Sequence, residues 1–316
     1  MNFVSKIDFK IEKLNQDIKI LIFSYLYKSN YKCIKTLNEH SNSITSILVN
    51  DDHIISCSFD LSIKIWTLKG ECLKTLRGHS NSVTCIAING ELIISGSYDK
   101  SIKIWTLKDG CIKTLLGHTD CITCISVNEN HIISGSYDYS IKIWTLEGEC
   151  INTLNGHYGV ISSIVTYNNL IISGSFDSYI KIWTTKGQLI NTLMGHTDMV
   201  KCIVMNGDQI ISGSFDKSIK IWTLKGECIK TLKGNFSCVT CIGILDNKII
   251  TDSIGKCFKI WTMKGDCIET LNGHSNSVSC ITTLDDLIIS GSYDRSIKIW
   301  KIPSIYDQYY SFMKNN

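Results

Sequence analysis

The stretch LIISGSYDKSIKIWTL, residues 92–107, holds the pattern that decides the architecture. Two short Ile-rich runs, each of strand length, flank an Asp-Lys turn, and the second run ends in Trp105. Versions of the same stretch surround Trp66, Trp144, Trp183, Trp222, Trp261 and Trp300, the chain's other tryptophans, each 39 residues beyond the last. A rare residue at a fixed period of this size marks a repeat architecture. Outward from 92–107, apolar runs at 83–88 and 72–76 complete one unit, separated by turn signals at Asn89-Gly90, Asp99-Lys100, Lys69-Gly70 and Gly78-His79. Ile, Val and Thr dominate, and no run has helical length or a 3.6-residue apolar spacing. Four strands of roughly five or six residues, with short turns, fill the period. The expectation is an all-β chain of seven four-stranded units.

Gly-His, Ser-Gly-Ser-aromatic-Asp and Ile-Lys-Ile-Trp recur in register over residues 31–302. On these residues the chain resembles the WD-repeat (Trp-Asp) family of seven-bladed β-propellers. One departure is that Thr follows the Trp in six units and Lys301 in the last, never the Asp of the family name. The resemblance implies a hydrogen-bonded tetrad in each regular blade. Carried over, the tetrads are His40, Ser56, Asp60 and Trp66; His79, Ser95, Asp99 and Trp105; and His118, Ser134, Asp138 and Trp144. Three more follow: His157, Ser173, Asp177 and Trp183; His196, Ser212, Asp216 and Trp222; and His274, Ser290, Asp294 and Trp300. A buried imidazole needs partners at both ring nitrogens, a buried indole N–H needs an acceptor, and a carboxylate fixes the tautomer. In the sixth unit Asn235, Thr251 and Gly255 replace His, Ser and Asp, and only Trp261 remains. An unpaired buried polar group costs roughly 1–3 kcal/mol, so this blade is expected to be the least stable.

The ends divide the chain into residues 1–30, the propeller at 31–302 and a tail at 303–316. Leu14, Ile18, Leu21, Ile22, Tyr25 and Leu26 lie on one face of an expected amphipathic helix, with Asn15 as N-cap. Residues 14–26 resemble the first helix of an F-box, through which substrate adaptors dock on the linker subunit of a ubiquitin ligase. Asn15 stands where that family has Pro, and the repeat begins too soon for its remaining helices. Residues 31–40 match the fourth strand of a unit but precede the first Trp, whereas 278–302 supply three strands without a fourth. The N-terminal strand is therefore expected to complete the last blade and close the ring. Deleting residues 1–40 should then cost stability cooperatively. Pro303, the chain's only proline, ends the sheet.

The 32 basic and 29 acidic residues leave a net charge of +3 with no basic cluster, which gives no nucleic-acid footprint. No apolar run approaches membrane-spanning length, and Lys6, Asp8 and Lys10 argue against a signal peptide. Among the 15 cysteines, Cys33, Cys72, Cys111, Cys150, Cys228 and Cys267 share one repeat position. Cys85, Cys124, Cys202, Cys241 and Cys280 share another. Equivalent positions in different blades lie too far apart to bridge, so both sets read as small apolar fillers in a reducing, cytoplasmic or nuclear, compartment. Cys121/Cys124 and Cys238/Cys241 have CxxC spacing, but i and i+3 on a strand face opposite ways, and no metal is expected.

His, Ser and Asp in six blades argue against catalysis, which needs one asymmetric cleft. No cofactor motif is present, and the expectation is a non-enzymatic, monomeric scaffold. In WD-repeat proteins, ligands meet the top face through three positions per blade. The first set carries over as Phe59, Tyr98, Tyr137, Phe176, Phe215, Ile254 and Tyr293, the second includes Ser43, Ser82, Cys121, Met199 and Cys238, and the third includes Thr45, Thr84, Ser162 and Lys201. An aromatic rim above hydroxyls suits a peptide or protein segment held by aromatic anchors. A ubiquitin-ligase substrate receptor is the alternative. Only Arg77 and Arg295 are present for phosphate capture, although Lys201 and the turn lysines Lys100, Lys217 and Lys256 keep that reading open.

Overall fold

The computed structural model describes residues 31–50, 53–128, 130–234, 238–252 and 256–301. The helix expected at 14–26, Pro303 and the tail, and Asn235, Ile254 and Gly255 of the sixth unit lie outside these residues.

Strand pairing builds seven four-stranded antiparallel sheets. Blade 2 is typical: an inner strand Val83–Asn89, then Leu92–Ser97 and Ile102–Thr106, and an outer strand Gly110–Leu115. The inner strands of blades 1, 3, 4 and 5 are Ile44–Val49, Ile122–Val127, Ile161–Tyr167 and Val200–Asn206. Those of blades 6 and 7 are Ile242–Leu245 and Val278–Leu284. Each inner strand touches that of the next blade, and the seventh touches the first, so the circuit returns to its start. Blade 7 takes its outer strand from the other end of the chain, Lys32–Leu37, with Lys32 opposite Lys301 and Leu37 opposite Ile297.

The core lies between blades. Ile94, Ile102 and Ile104 of blade 2 cluster with Ile122, Ile132 and Trp144 of blade 3. The second strand is thus covered on both faces, and Ile93 through Ser97 are all buried. That is why it reads as a nearly continuous apolar run rather than an alternating one. Two glycines follow from close approach. A Cβ on Gly96 would lie 2.4 Å from Ile122 Cγ2, and one on Gly117 would lie 3.0 Å from Trp144 Cη2. The Ser-Gly-Ser and Gly-His signatures record these two contacts.

One expectation needs correction. Cys85 and Cys124 are buried, and burial pushes both thiols up to about 12. Cys33, Cys111, Cys150, Cys228 and Cys267 are instead exposed on the outer strands and are not fillers. Among the described residues, their strand has no further sheet outside it to pack against. Cys33 Sγ turns back to donate to the Lys35 carbonyl at 3.4 Å, and Cys111 does the same to Lys113 at 3.5 Å.

Candidate functional site

The tetrad residues form hydrogen-bonded chains. His79 Nδ1 lies 2.8 Å from Asp99 Oδ2, His79 Nε2 lies 2.7 Å from Ser95 Oγ, and Trp105 Nε1 donates to Ser95 Oγ at 2.8 Å. A serine hydroxyl has one proton; accepting from the indole, it gives that proton to Nε2 and leaves Nδ1–H for the carboxylate. The same arrangement joins His40, Ser56, Asp60 and Trp66, as well as His118, Ser134, Asp138 and Trp144. It recurs around His157, His196 and His274. Sequence reasoning missed a fifth member. Ser101 donates both its N–H, at 2.9 Å, and its hydroxyl, at 2.6 Å, to Asp99 Oδ1. Ser62, Ser140, Ser218 and Ser296 act alike, and the signal was the repeated Asp-X-Ser. The bond from Ser101 N–H pins the intervening Lys100 in the left-handed region, with φ of 68°.

Burial opposes ionisation of Asp99, but hydrogen bonds from His79 and Ser101 outweigh it and hold the carboxyl well below the usual range. Asp294 is brought down to about 2 against the same burial by Ser296, Ser275 and His274. Burial pulls the His196 and His274 imidazoles down, so near neutral pH they stay uncharged. Ser95 and Ser134 are 0 % exposed and have no open side for a substrate to attack. These are packing networks.

Blade 6 differs. Trp261 Nε1 donates to Thr251 Oγ1 at 2.9 Å, and the next residue is Asp252 where blade 2 has Gly96. The Asp252 carboxylate accepts from Thr240 N at 2.8 Å, Thr240 Oγ1 at 2.7 Å and Cys241 N at 3.1 Å. It takes backbone donors that other blades leave to the inner ladder, so the strand starts only at Ile242. Burial raises the Asp252 carboxyl, and these bonds offset only part of the shift.

A cavity of about 850 Å³ occupies the centre, lined by residues of every blade. Thr45, Thr84, Thr123, Ser162 and Ser279 line it, but their protons are committed elsewhere. Thr45 donates to the Val83 carbonyl at 2.7 Å, Thr84 to Ile122 at 2.7 Å, Ser162 to Val200 at 2.5 Å and Ser279 to Ile44 at 2.6 Å; Thr123 reaches the Ile161 carbonyl. Each hydroxyl staples its blade to the next. Lys201 holds the position in blade 5, and in blade 6 Thr240 turns to Asp252. Among the described residues, Lys201 and Asp252 are the only charged ones in the lining.

Phe59, Tyr98, Tyr137, Phe215 and Tyr293 line the cavity mouth. Phe59 and Tyr98 have ring centroids 6.1 Å apart, and Tyr98 and Tyr137 are 6.5 Å apart. The backbone N–H groups of Phe59, Tyr98 and Tyr137 each donate at 3.0 Å to the carbonyls of Ser43, Ser82 and Cys121, which fixes the height of the rim. Tyr137 and Tyr293 remain 38 % and 46 % exposed. Phe176 lies 5.6 Å from Lys201 Nζ, centroid to nitrogen. Met199 contributes its backbone, its carbonyl accepting Phe215 N–H at 2.9 Å. Cys121 and Cys238 of the CxxC pairs donate separately to the Tyr98 and Phe215 carbonyls at 3.5 and 3.7 Å.

Seven radial sheets around a channel, fastened by buried His-Ser-Asp-Trp networks, define a β-propeller of the WD-repeat class. The family model "WD domain, G-beta repeat" matches residues 31–67, 70–106, 109–145, 148–184, 187–223 and 265–301, and the chain belongs to that family. The matched segments leave out the stretch around Trp261. A search of curated proteins finds no match. Among solved structures, the chain is similar to the WD40 β-propeller domain of Doa1, with a TM-score of 0.80 and 24 % identity over 87 % of this chain and 98 % of that one. That likeness speaks to the fold alone. WD-repeat propellers serve generally as protein-interaction scaffolds.

Proposed function

We propose that this propeller is a non-catalytic scaffold that holds a peptide or protein segment on its top face, at the aromatic mouth of the channel. The observation that carries the reading is the run Phe59, Tyr98 and Tyr137. These neighbouring rings touch at the mouth while their backbones are held by the blades beneath. Rigid aromatic anchors supply contact area at little entropic cost, and such residues dominate binding energy at interfaces. Burial, with Tyr137 next in effect, raises the Tyr98 phenol, which stays neutral. Tyr98→Ala with Tyr137→Ala should keep the melting temperature and lose partner capture in affinity purification with mass spectrometry. Unchanged capture profiles would reject the proposal.

Two further points belong to the same reading. The buried thiols suit a reducing compartment, cytoplasmic or nuclear. The pairing of Lys32–Leu37 with Ile297–Lys301 is the clasp that keeps the top face rigid, and a chain lacking residues 1–40 that melted like the full one would rule this out. The ubiquitin-ligase reading rests on residues 14–26 alone, and a pull-down with the ligase linker subunit decides it.

A further inference from the structure

The channel's regular pattern fails at one corner. Where five blades carry a hydroxyl stapled to the next blade, blade 5 carries Lys201, whose ammonium lies 5.6 Å from the Phe176 centroid at the rim. Among the described residues no carboxylate lies within 4.0 Å of it. The other charge of the lining, Asp252, is turned into the protein by its three bonds to Thr240 and Cys241. The described lining thus offers one unpaired cation beside an aromatic ring, and its only anion is spent.

We propose that Lys201 anchors the carboxylate of an acidic side chain in an extended peptide whose neighbouring apolar residue rests on the aromatic rim. The proposal rests on the rim being the binding surface and adds what it selects. A single ammonium matches a single carboxylate. A phosphoryl group carries about −1.5 to −2 at neutral pH and is best held by Arg forks, of which the described lining has none. The Asp252 carboxyl further along the same lining penalises a second negative charge. Apolar and aromatic surroundings strengthen the remaining pair, because the local dielectric is lower than in water.

The test is an immobilised library of end-blocked peptides of about twelve residues. Each peptide with a central Asp and flanking Leu or Phe is matched by Asn, Lys and phosphoserine versions, and the library is probed with the full chain. Asp members should be retained about ten-fold or more above their Asn counterparts, as for a hydrogen bond to a charged group. Lys201→Met should abolish that preference, and Lys201→Glu should turn it toward Lys-containing members, with melting temperatures unchanged. Asp preference persisting in Lys201→Met, capture with no Asp preference, or phosphoserine held more tightly than Asp overturns the assignment of Lys201. The rim reading survives those results if Tyr98→Ala with Tyr137→Ala still removes capture. Failure to capture any member rejects both.

Discussion

Blades 2 and 6 share a tryptophan at the same repeat position and little else of the fastening above it. In blade 2 the indole N–H donates to Ser95, the Ser95 hydroxyl donates to His79, and the imidazole is held by Asp99, itself bound by Ser101. In blade 6 the indole meets Thr251, and a carboxylate appears one residue later among the donors of the inner strand. Both blades stack. Trp261 packs with Ile219, Ile221 and Ile249 much as Trp105 packs with Ile63, Ile65 and Ile93. Stacking apolar faces is therefore enough to form a blade. The tetrad acts elsewhere, tying the loop before the inner strand to the turn after the second strand. In blade 6, where Asn235 and Gly255 stand in place of the His and Asp, the Asp252 carboxylate takes the Thr240 and Cys241 N–H groups.

Breaking a complete network should have the largest effect. His118→Ala removes the imidazole from Asp138 Oδ2 and leaves the buried Ser134 hydroxyl proton without its acceptor, at a cost of about 3 kcal/mol, whereas Thr251→Ala takes the acceptor from the Trp261 indole, at about 1 kcal/mol. Urea midpoints measure the difference. Native-state hydrogen exchange should be fastest in blade 6, and equal protection in all blades would end the distinction.

The pH response should be smaller and of opposite sign in the two kinds of blade. Asp60, Asp99, Asp138, Asp177, Asp216 and Asp294 have lowered folded-state values. Their stabilisation is full above the ordinary carboxylate value and drains away as pH falls toward the folded ones. Asp252 is raised, so the folded state holds its proton more tightly, and stability is lost as pH climbs through that raised value. Asp252→Asn should thus melt higher than wild type at pH 7, with the gap narrowing as acid protonates the wild-type group. A constant gap would contradict the assignment.

The smallest effect is a repair. Lys201→Thr offers the Val239 carbonyl the hydroxyl that Thr84 gives to Ile122, and should add about 1 kcal/mol to unfolding in urea.

Much of this was legible in the chain. The period of Trp66 through Trp300 gave the blade count, and Gly-His with Ser-Gly-Ser located the tetrads, because one blade's internal contacts are written within one repeat. Contacts between blades were legible only where close approach demands glycine, as at Gly96; the hydroxyl staples were not. That Thr45, Thr84 and Ser162 spend their protons on a neighbour's carbonyl depends on how two sheets abut, and no spacing within a unit records it. The outer-strand cysteines misled for a related reason: a fixed repeat position looks the same whether the next sheet covers it or nothing does. Asp252 was visible as a break in Ser-Gly-Ser, but the turn of its carboxylate toward Thr240 and Cys241 is a matter of three dimensions.

Blade 7 joins Lys32–Leu37 to Ile297–Lys301, and Lys298 Nζ reaches Thr36 Oγ1 at 2.9 Å across 262 positions of chain. During synthesis Lys32–Leu37 must therefore wait for Ile297–Lys301 before it finds its place. Pairing between such distant stretches is slow, and unpaired strand edges invite the wrong neighbours meanwhile. A ribosome that stops between Asn272 and Val278 releases six stackable sheets and one unmatched strand, a product whose seventh blade cannot be completed.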